Sequence, residues 1–183
     1  MREAELIEQA RGGSTGAFTA LVEAYRERLF RFLLTRCRTY ADAEDALQDT
    51  LVNAYRYLYS YKAEWRFSTW LYRIAIRNAA GQARVDTREA VDTIDEGSGP
   101  LEACIGEQAR QNVWLAAKRL LNEDAYTAMW LRYVEDMSVN DIAAALERSQ
   151  SWTKVNLLRG RRALAAELGG GAENKEDRAY GDS

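Results

Sequence analysis

Residues 122–168 read NEDAYTAMWLRYVEDMSVNDIAAALERSQSWTKVNLLRGRRALAAEL. Asn122, Ser138 and Ser149 are residues that cap helices, and each opens a stretch in which apolar residues return every three or four positions. The first stretch would bury Tyr126, Met129, Trp130 and Tyr133, and the second Ile142, Ala143 and Leu146. The third would bury Thr153, Leu157, Gly160, Leu164 and Leu168. Glu135-Asp136 and Glu147-Arg148 turn the chain between them, and Ser138 followed by Asp141 has the spacing of a capping box. A short helix, a tight turn and a longer basic helix make a helix-turn-helix, whose second helix enters the major groove and offers its early residues to base edges. Helical offsets put Ser151, Lys154, Val155, Leu158, Arg159 and Arg162 away from the apolar stripe. Arginines there suit phosphate or guanine, and the sequence does not separate the two. An ordinary helical hairpin with a solvated basic face shares part of this pattern. Gly169-Gly170-Gly171 is expected to stop the last helix, leaving 169–183 as a disordered polar tail.

Working toward the N-terminus, 89–104 is an acidic linker that holds Gly97, Gly99 and Pro100, and helical periodicity resumes with Leu101, Ile105 and Gln108. Before it lies a second helical block. A short amphipathic segment over 2–11 ends at Gly12-Gly13, and Ser14 caps a helix expected to reach about Arg38. Thr39 and Asp42 form a capping box for a helix with Ala43, Ala46, Leu47, Thr50, Leu51, Ala54 and Leu58 inward. Asp45, Gln48, Asp49 and Val52 share its opposite side, either as an ordinary solvated face or as a docking surface for a basic helical partner. Asp42 and Glu44, in the first turn, also favour the helix dipole.

The segment YSYKAEWRFSTWLYRIAIRN, 59–78, interleaves aromatics with Lys62, Arg66, Arg73 and Arg77, and Ser68 is expected to cap its helix. Aromatics that stack on bases beside cations that hold phosphates equip a single-strand site, with stacking contributing about 1–3 kcal/mol per base. Opening a duplex needs that compensation, since each stacked step costs about 1–2 kcal/mol. Trp70 reads as core, whereas Tyr61, Trp65 and Phe67 are balanced between core packing and exposed binding.

Composition narrows the chemistry. Among 183 residues there is one proline, so the expected fold is all-α, with two small helical domains. There is no histidine, and the two cysteines, Cys37 and Cys104, are far apart. Histidine-dependent triads are excluded, a structural zinc lacks ligands, and the cysteines read as buried small hydrophobes. No metal, cofactor or catalytic group is expected. The N-terminus is charged and no segment approaches a membrane span, which predicts a soluble, cytoplasmic protein with no membrane insertion. The net charge of −3 conceals a segregation: six cations against Glu64 and Asp86 over 62–88, and five cations without an acid over 148–162. Local charge decides what each surface attracts.

DAEDALQDTLVNAYR followed by FSTWLYRIAIRN, then LRYVEDMSVNDIAAAL through TKVNLLRGRRAL, resembles the extracytoplasmic-function group of RNA polymerase sigma factors, which keep only the regions called two and four. The resemblance implies a sigma region 2 bundle over 1–88 and a sigma region 4 helix-turn-helix over 105–168, joined by the flexible acidic linker. It implies that Asp45, Gln48 and Asp49 dock on core RNA polymerase. It matches the segment Tyr61 to Phe67, with Lys62, Trp65 and Arg66, to the loop that captures a flipped base of the minus-ten element. It matches Arg73, Arg77 and Asn78 to the promoter-facing helix. Ser151, Lys154, Val155, Arg159 and Arg162 match the helix that reads the minus-thirty-five element of promoter DNA. The resemblance also implies an anti-sigma factor as partner. Two departures stand out: Glu147 occupies a turn position where the family often has glycine, and Ser149-Gln150-Ser151-Trp152 replaces its usual small-residue run. An operator-binding helix-turn-helix dimer would need a dimerisation or sensing surface that the N-terminal half does not offer. A hydrolase or transferase using Asp and Glu alone lacks any recognisable site.

Overall fold

A computed structural model of the chain describes the backbone over 2–85 and 101–176, and side chains over 2–79 and 110–169. It is helical: α1 (Glu3–Arg11), α2 (Thr15–Leu34), α3 (Tyr40–Tyr57), a single 3₁₀ turn (Leu58–Ser60), α4 (Phe67–Val85), α5 (Leu101–Leu120), α6 (Glu123–Tyr133), α7 (Val139–Leu146) and α8 (Gln150–Glu176). There is no strand among the described residues. Contacts divide the chain into two compact units, α1–α4 and α5–α8.

In the first unit α2, α3 and α4 pack pairwise, with α1 laid on α2. Their shared core is Leu29, Phe32 and Leu33 of α2, Ala43, Ala46 and Ala54 of α3, and Phe67, Leu71, Tyr72 and Ala75 of α4. The alanine face of α3 lets α4 come close, and a hydrogen-bonded polar seam links the two helices. Thr50 donates to the Ala46 carbonyl at 2.6 Å, Asn78 Nδ2 donates to Thr50 Oγ1 at 3.2 Å, and Asn53 Nδ2 donates to Asn78 Oδ1 at 3.3 Å. Buried polar groups left unpaired would cost about 1–3 kcal/mol each.

The caps read from the sequence form: Ser14 accepts from the Ala17 amide, Thr39 and Asp42 complete their box, Asn122 accepts from Ala125, and Ser138 accepts from Asp141. Four local expectations differ from the structure. α2 ends at Leu34 and not near Arg38, because the amides of Thr35, Arg36 and Cys37 fold back onto the Phe32 and Leu33 carbonyls. α4 starts at Phe67, with the Trp70 amide on the Arg66 carbonyl, so Ser68 lies inside the first turn and does not cap it. Tyr133 is 50% and Leu168 45% exposed; Leu131 takes the inner position of α6, and Leu164 is the last buried residue of α8 among those whose side chains are described. α8 passes through Gly169–Gly171 to Glu176, although each glycine in a helix interior costs about 1 kcal/mol relative to alanine.

In the second unit Ala117, Ala128, Leu131, Ile142, Ala145 and Leu157 form the core. Gly160 sits where α8 crosses α6: a Cβ there would meet Met129 Sδ at 3.0 Å, so the methionine side chain would have to shift to admit it. Trp114, Tyr126 and Trp130 stack between α5 and α6, with the two indoles 5.0 Å apart. Of the expected linker, 89–100 lies outside the described residues and 101–104 belongs to α5.

Candidate polymerase and nucleic-acid interfaces

Three surfaces carry the residues singled out by the sequence. On α3, Asp45, Gln48, Asp49 and Val52 are all exposed. Asp45, Gln48 and Val52 border a groove against α2 that Glu23, Arg26, Glu27 and Phe30 line from the other side. Asp42 belongs to the cap and not to this face, because its carboxylate accepts from the Thr39 amide at 3.1 Å. The remaining acids stand beside exposed Tyr40 and Val52, a combination of charge and apolar area that suits a protein partner better than solvent alone.

The second surface is the 61–67 loop with α4. Of its three aromatics, Tyr61 and Phe67 are core, 6% and 0% exposed, while Trp65 is half-buried. Phe67 lies in a nest of rings: Tyr25 at 5.7 Å, Tyr61 at 5.6 Å and Trp70 at 5.6 Å. The Tyr61 phenol donates to the Trp65 carbonyl at 2.7 Å, and burial pushes its pKa up from the usual tyrosine value. What the loop offers to solvent is Lys62, Ala63, Glu64, Arg66 and part of Trp65, so one carboxylate stands among its two cations, with Tyr59 beside them at 75% exposure. On α4, Arg77 is exposed and Arg73 is half-buried. Asn78 points the other way, its amide committed to Thr50 and Asn53 of α3. This seam makes Asn78 a structural residue in this conformation. The structure adds two residues that the sequence did not single out as site residues: Arg11, which hydrogen-bonds the loop backbone, and Tyr25, whose ring supports Phe67.

The third surface is the outer face of α8. Ser151, Lys154, Val155, Arg159 and Arg162 are all exposed, as is Leu158, while Thr153 and Leu157 face inward. Ser149 caps the helix, accepting from the Trp152 amide at 3.0 Å. The turn before it is set by Glu147 in the left-handed region, φ 55° and ψ 41°, with its amide on Ala144 and the Arg148 amide on Ala143. Arg148 clamps the turn by donating to Asp124 at 2.6 and 3.1 Å while its guanidinium sits 5.4 Å from the Trp152 ring. Gln150 donates to Asn140 at 2.8 Å, tying α8 to α7. The replaced small-residue run therefore holds the two helices of the motif together.

No group of residues able to hold a metal ion occurs among the described residues. Among them, no helix is long and apolar enough to cross a membrane. Cys37 is a free, half-buried thiol whose pKa burial raises; the Cys104 side chain lies outside the described residues.

Known proteins share both the sequence and this arrangement. The Sigma-70 region 2 family matches residues 21–89, which contain the acidic face, the loop and α4. The ECF RNA polymerase sigma-E factor of Salmonella typhimurium is 30% identical over 174 residues, covering 87% of this chain and 90% of that relative. The chain belongs to the extracytoplasmic-function sigma factors. Such a factor serves RNA polymerase in transcription initiation. Among solved structures, CnrH in complex with the cytosolic domain of CnrY superimposes with a TM-score of 0.67 at 25% identity, covering 90% of this chain and 96% of that one. The sigma factor RpoE of Bartonella quintana, in complex with the anti-sigma factor NepR, superimposes with a TM-score of 0.66 at 22% identity, covering 82% and 96%. The second likeness is one of fold.

Proposed function

We propose that the three surfaces of this sigma factor divide the work of initiation. The α3 face of Asp45, Gln48 and Asp49 docks on core polymerase. The loop's Lys62, Trp65 and Arg66, backed by Tyr61 and Phe67 and flanked by Arg73 and Arg77, engages the opened minus-ten strand. The α8 face of Ser151, Lys154, Val155, Arg159 and Arg162 reads the minus-thirty-five duplex. The observation that carries this reading is α8: a capped helix after a tight turn, with every matched residue solvent-facing and no acid among them. Units 1–88 and 105–168 act as separate weak grips, which core enzyme makes effective by fixing their separation. The chain performs no catalysis itself. RpoE of Bartonella quintana binds an anti-sigma factor, and an anti-sigma factor covering the same surfaces controls this protein.

The test is transcription by core polymerase plus the full chain over a genomic library, with start sites mapped. Starts should share two conserved elements at fixed spacing. Charge reversal at Asp45 and Asp49 should abolish co-purification with core at unchanged helical content. Were the chain to ignore core and bind one compact duplex site as a dimer, it would act as an operator-binding regulator and this division of work would fall.

A further inference from the structure

We propose that α1 is a brace that sets the conformation of the 59–66 loop, and that Arg11 is its positioning residue. The inference rests on the minus-ten reading of the loop given above.

One Arg11 guanidinium nitrogen donates to the carbonyl of Tyr61 and, at 3.5 Å, to that of Tyr59. The other nitrogen lies 3.4 Å from Glu8, and the group as a whole stands 6.0 Å from the Tyr61 ring. These carbonyls end the 3₁₀ turn, where no further helical amide follows to satisfy them. A planar fork with five donors serves two carbonyls and a carboxylate together, and a lysine ammonium does not reproduce that geometry.

The constraint is relayed to the exposed part of the loop. Tyr61, fixed through its carbonyl, holds the Trp65 carbonyl through its phenol, and the Trp65 amide returns to the Lys62 carbonyl at 3.4 Å. The brace is anchored at its far end as well. The Tyr25 phenol donates to the Glu3 carboxylate, while the Tyr25 ring supports Phe67. Between the two anchors Ile7 and Ala10 are buried. The contacts of Arg11 described above are to the loop backbone, Glu8 and the Tyr61 ring, which makes it a positioning residue. It acts by removing the ordering cost that a mobile loop would incur on capturing one, which is how preorganisation raises both affinity and discrimination.

The experiment uses the full chain bound to core polymerase and fluorescent single strands spanning the minus-ten element of a promoter mapped by library transcription. Each strand carries one of the four bases at the position under test. The readout is the ratio of affinities between the preferred and the poorest base. Partial unfolding lowers all four affinities together and leaves the ratio unchanged. Arg11→Met keeps the aliphatic stem and removes the donors; it should lower the ratio about tenfold, the equivalent of about 1.4 kcal/mol. Arg11→Lys should recover part of that loss, and core affinity should stay unchanged in both. An unchanged ratio in Arg11→Met overturns the proposal. If the unsubstituted protein shows no base preference at any position, the minus-ten reading falls and the inference with it. Should Arg11→Met fail to fold, chymotryptic cleavage after Trp65 in Arg11→Lys decides: faster cutting supports the brace, and an unchanged rate overturns it.

Discussion

The outer face of α8 and the 61–67 loop carry similar residue types, cations beside apolar groups, yet the fold treats them oppositely. On α8 every residue matched to the recognition face points to solvent. In the loop two of three aromatics turn inward, and the exposed surface consists of Lys62, Ala63, Glu64, Arg66 and part of Trp65. The difference follows from periodicity. A helix separates inside from outside every 3.6 residues, so its outer face needs no tertiary support beyond the stripe behind it. A loop has no such rule, and its exposed residues are positioned only by whatever the buried ones grip. The face proposed to read duplex is thus self-standing, whereas the surface proposed to capture the strand rests on Tyr61, Phe67 and Arg11.

The contrast breaks most visibly at Phe67. Its ring is fully buried among Tyr25, Tyr61 and Trp70, so Phe67→Ala should lower the unfolding free energy of the first unit by about 3–5 kcal/mol, measured by urea denaturation. Trp65→Ala, at a half-exposed position, should cost less than about 1 kcal/mol and still impair opening. The separation is read by comparing transcription from duplex and pre-melted templates, where Trp65→Ala should be rescued by pre-melting. Equal defects on both templates would remove Trp65 from strand capture. A small stability cost at Phe67 would mean that its ring is free to leave the core and meet a base.

The α8 face sharpens the comparison at its C-terminal end. Early residues of a recognition helix meet base edges, so on the proposed reading Ser151, Lys154 and Val155 would lie nearest the bases, and Arg159 and Arg162 would face the backbone. Arg159→Ala with Arg162→Ala should weaken binding to all duplex sequences alike and make the slope of log affinity against log salt shallower by about 2. Loss confined to one base pair, with the salt slope kept, would assign a guanine contact to one of them instead.

How much of this was legible beforehand tracks the same physics. Caps and stripes within a helix are local, so Ser14, Thr39, Asn122 and Ser138 appear where the sequence places them, and the helix-turn-helix with them. Helix ends were less legible: α2 stops when Thr35–Cys37 fold back on its last carbonyls, which no stripe encodes. Tyr133 fits an apolar period but falls on the solvent side, its hydroxyl 3.4 Å from Arg161. The loop aromatics were undecided because alternation with cations is compatible with either side. Asn78 has the spacing of a promoter-facing residue, and only the proximity of Thr50 and Asn53 on α3 reveals that its amide bonds to that helix. The Arg11–Tyr61 bond joins residues fifty positions apart, so no local pattern announces it.

The smallest expected effect lies in the turn that aims α8. Glu147 adopts φ 55°, a conformation that carries a steric cost for a residue with a Cβ and none for glycine. Glu147→Gly relieves that cost but also enlarges the freedom of the unfolded chain, and the two terms nearly offset, leaving a net gain of about 0.5 kcal/mol. The midpoint of urea unfolding for the second unit should therefore rise slightly, with duplex affinity unchanged, because the Ser149 cap and the Arg148–Asp124 clamp still fix the helix. A drop in stability would show that the Glu147 side chain holds the turn more strongly than its backbone strain opposes it. A drop in duplex affinity at unchanged stability would show that the turn's exact path, and not the clamp, aims the recognition face; the exposed helix would then depend on its neighbours as the loop does.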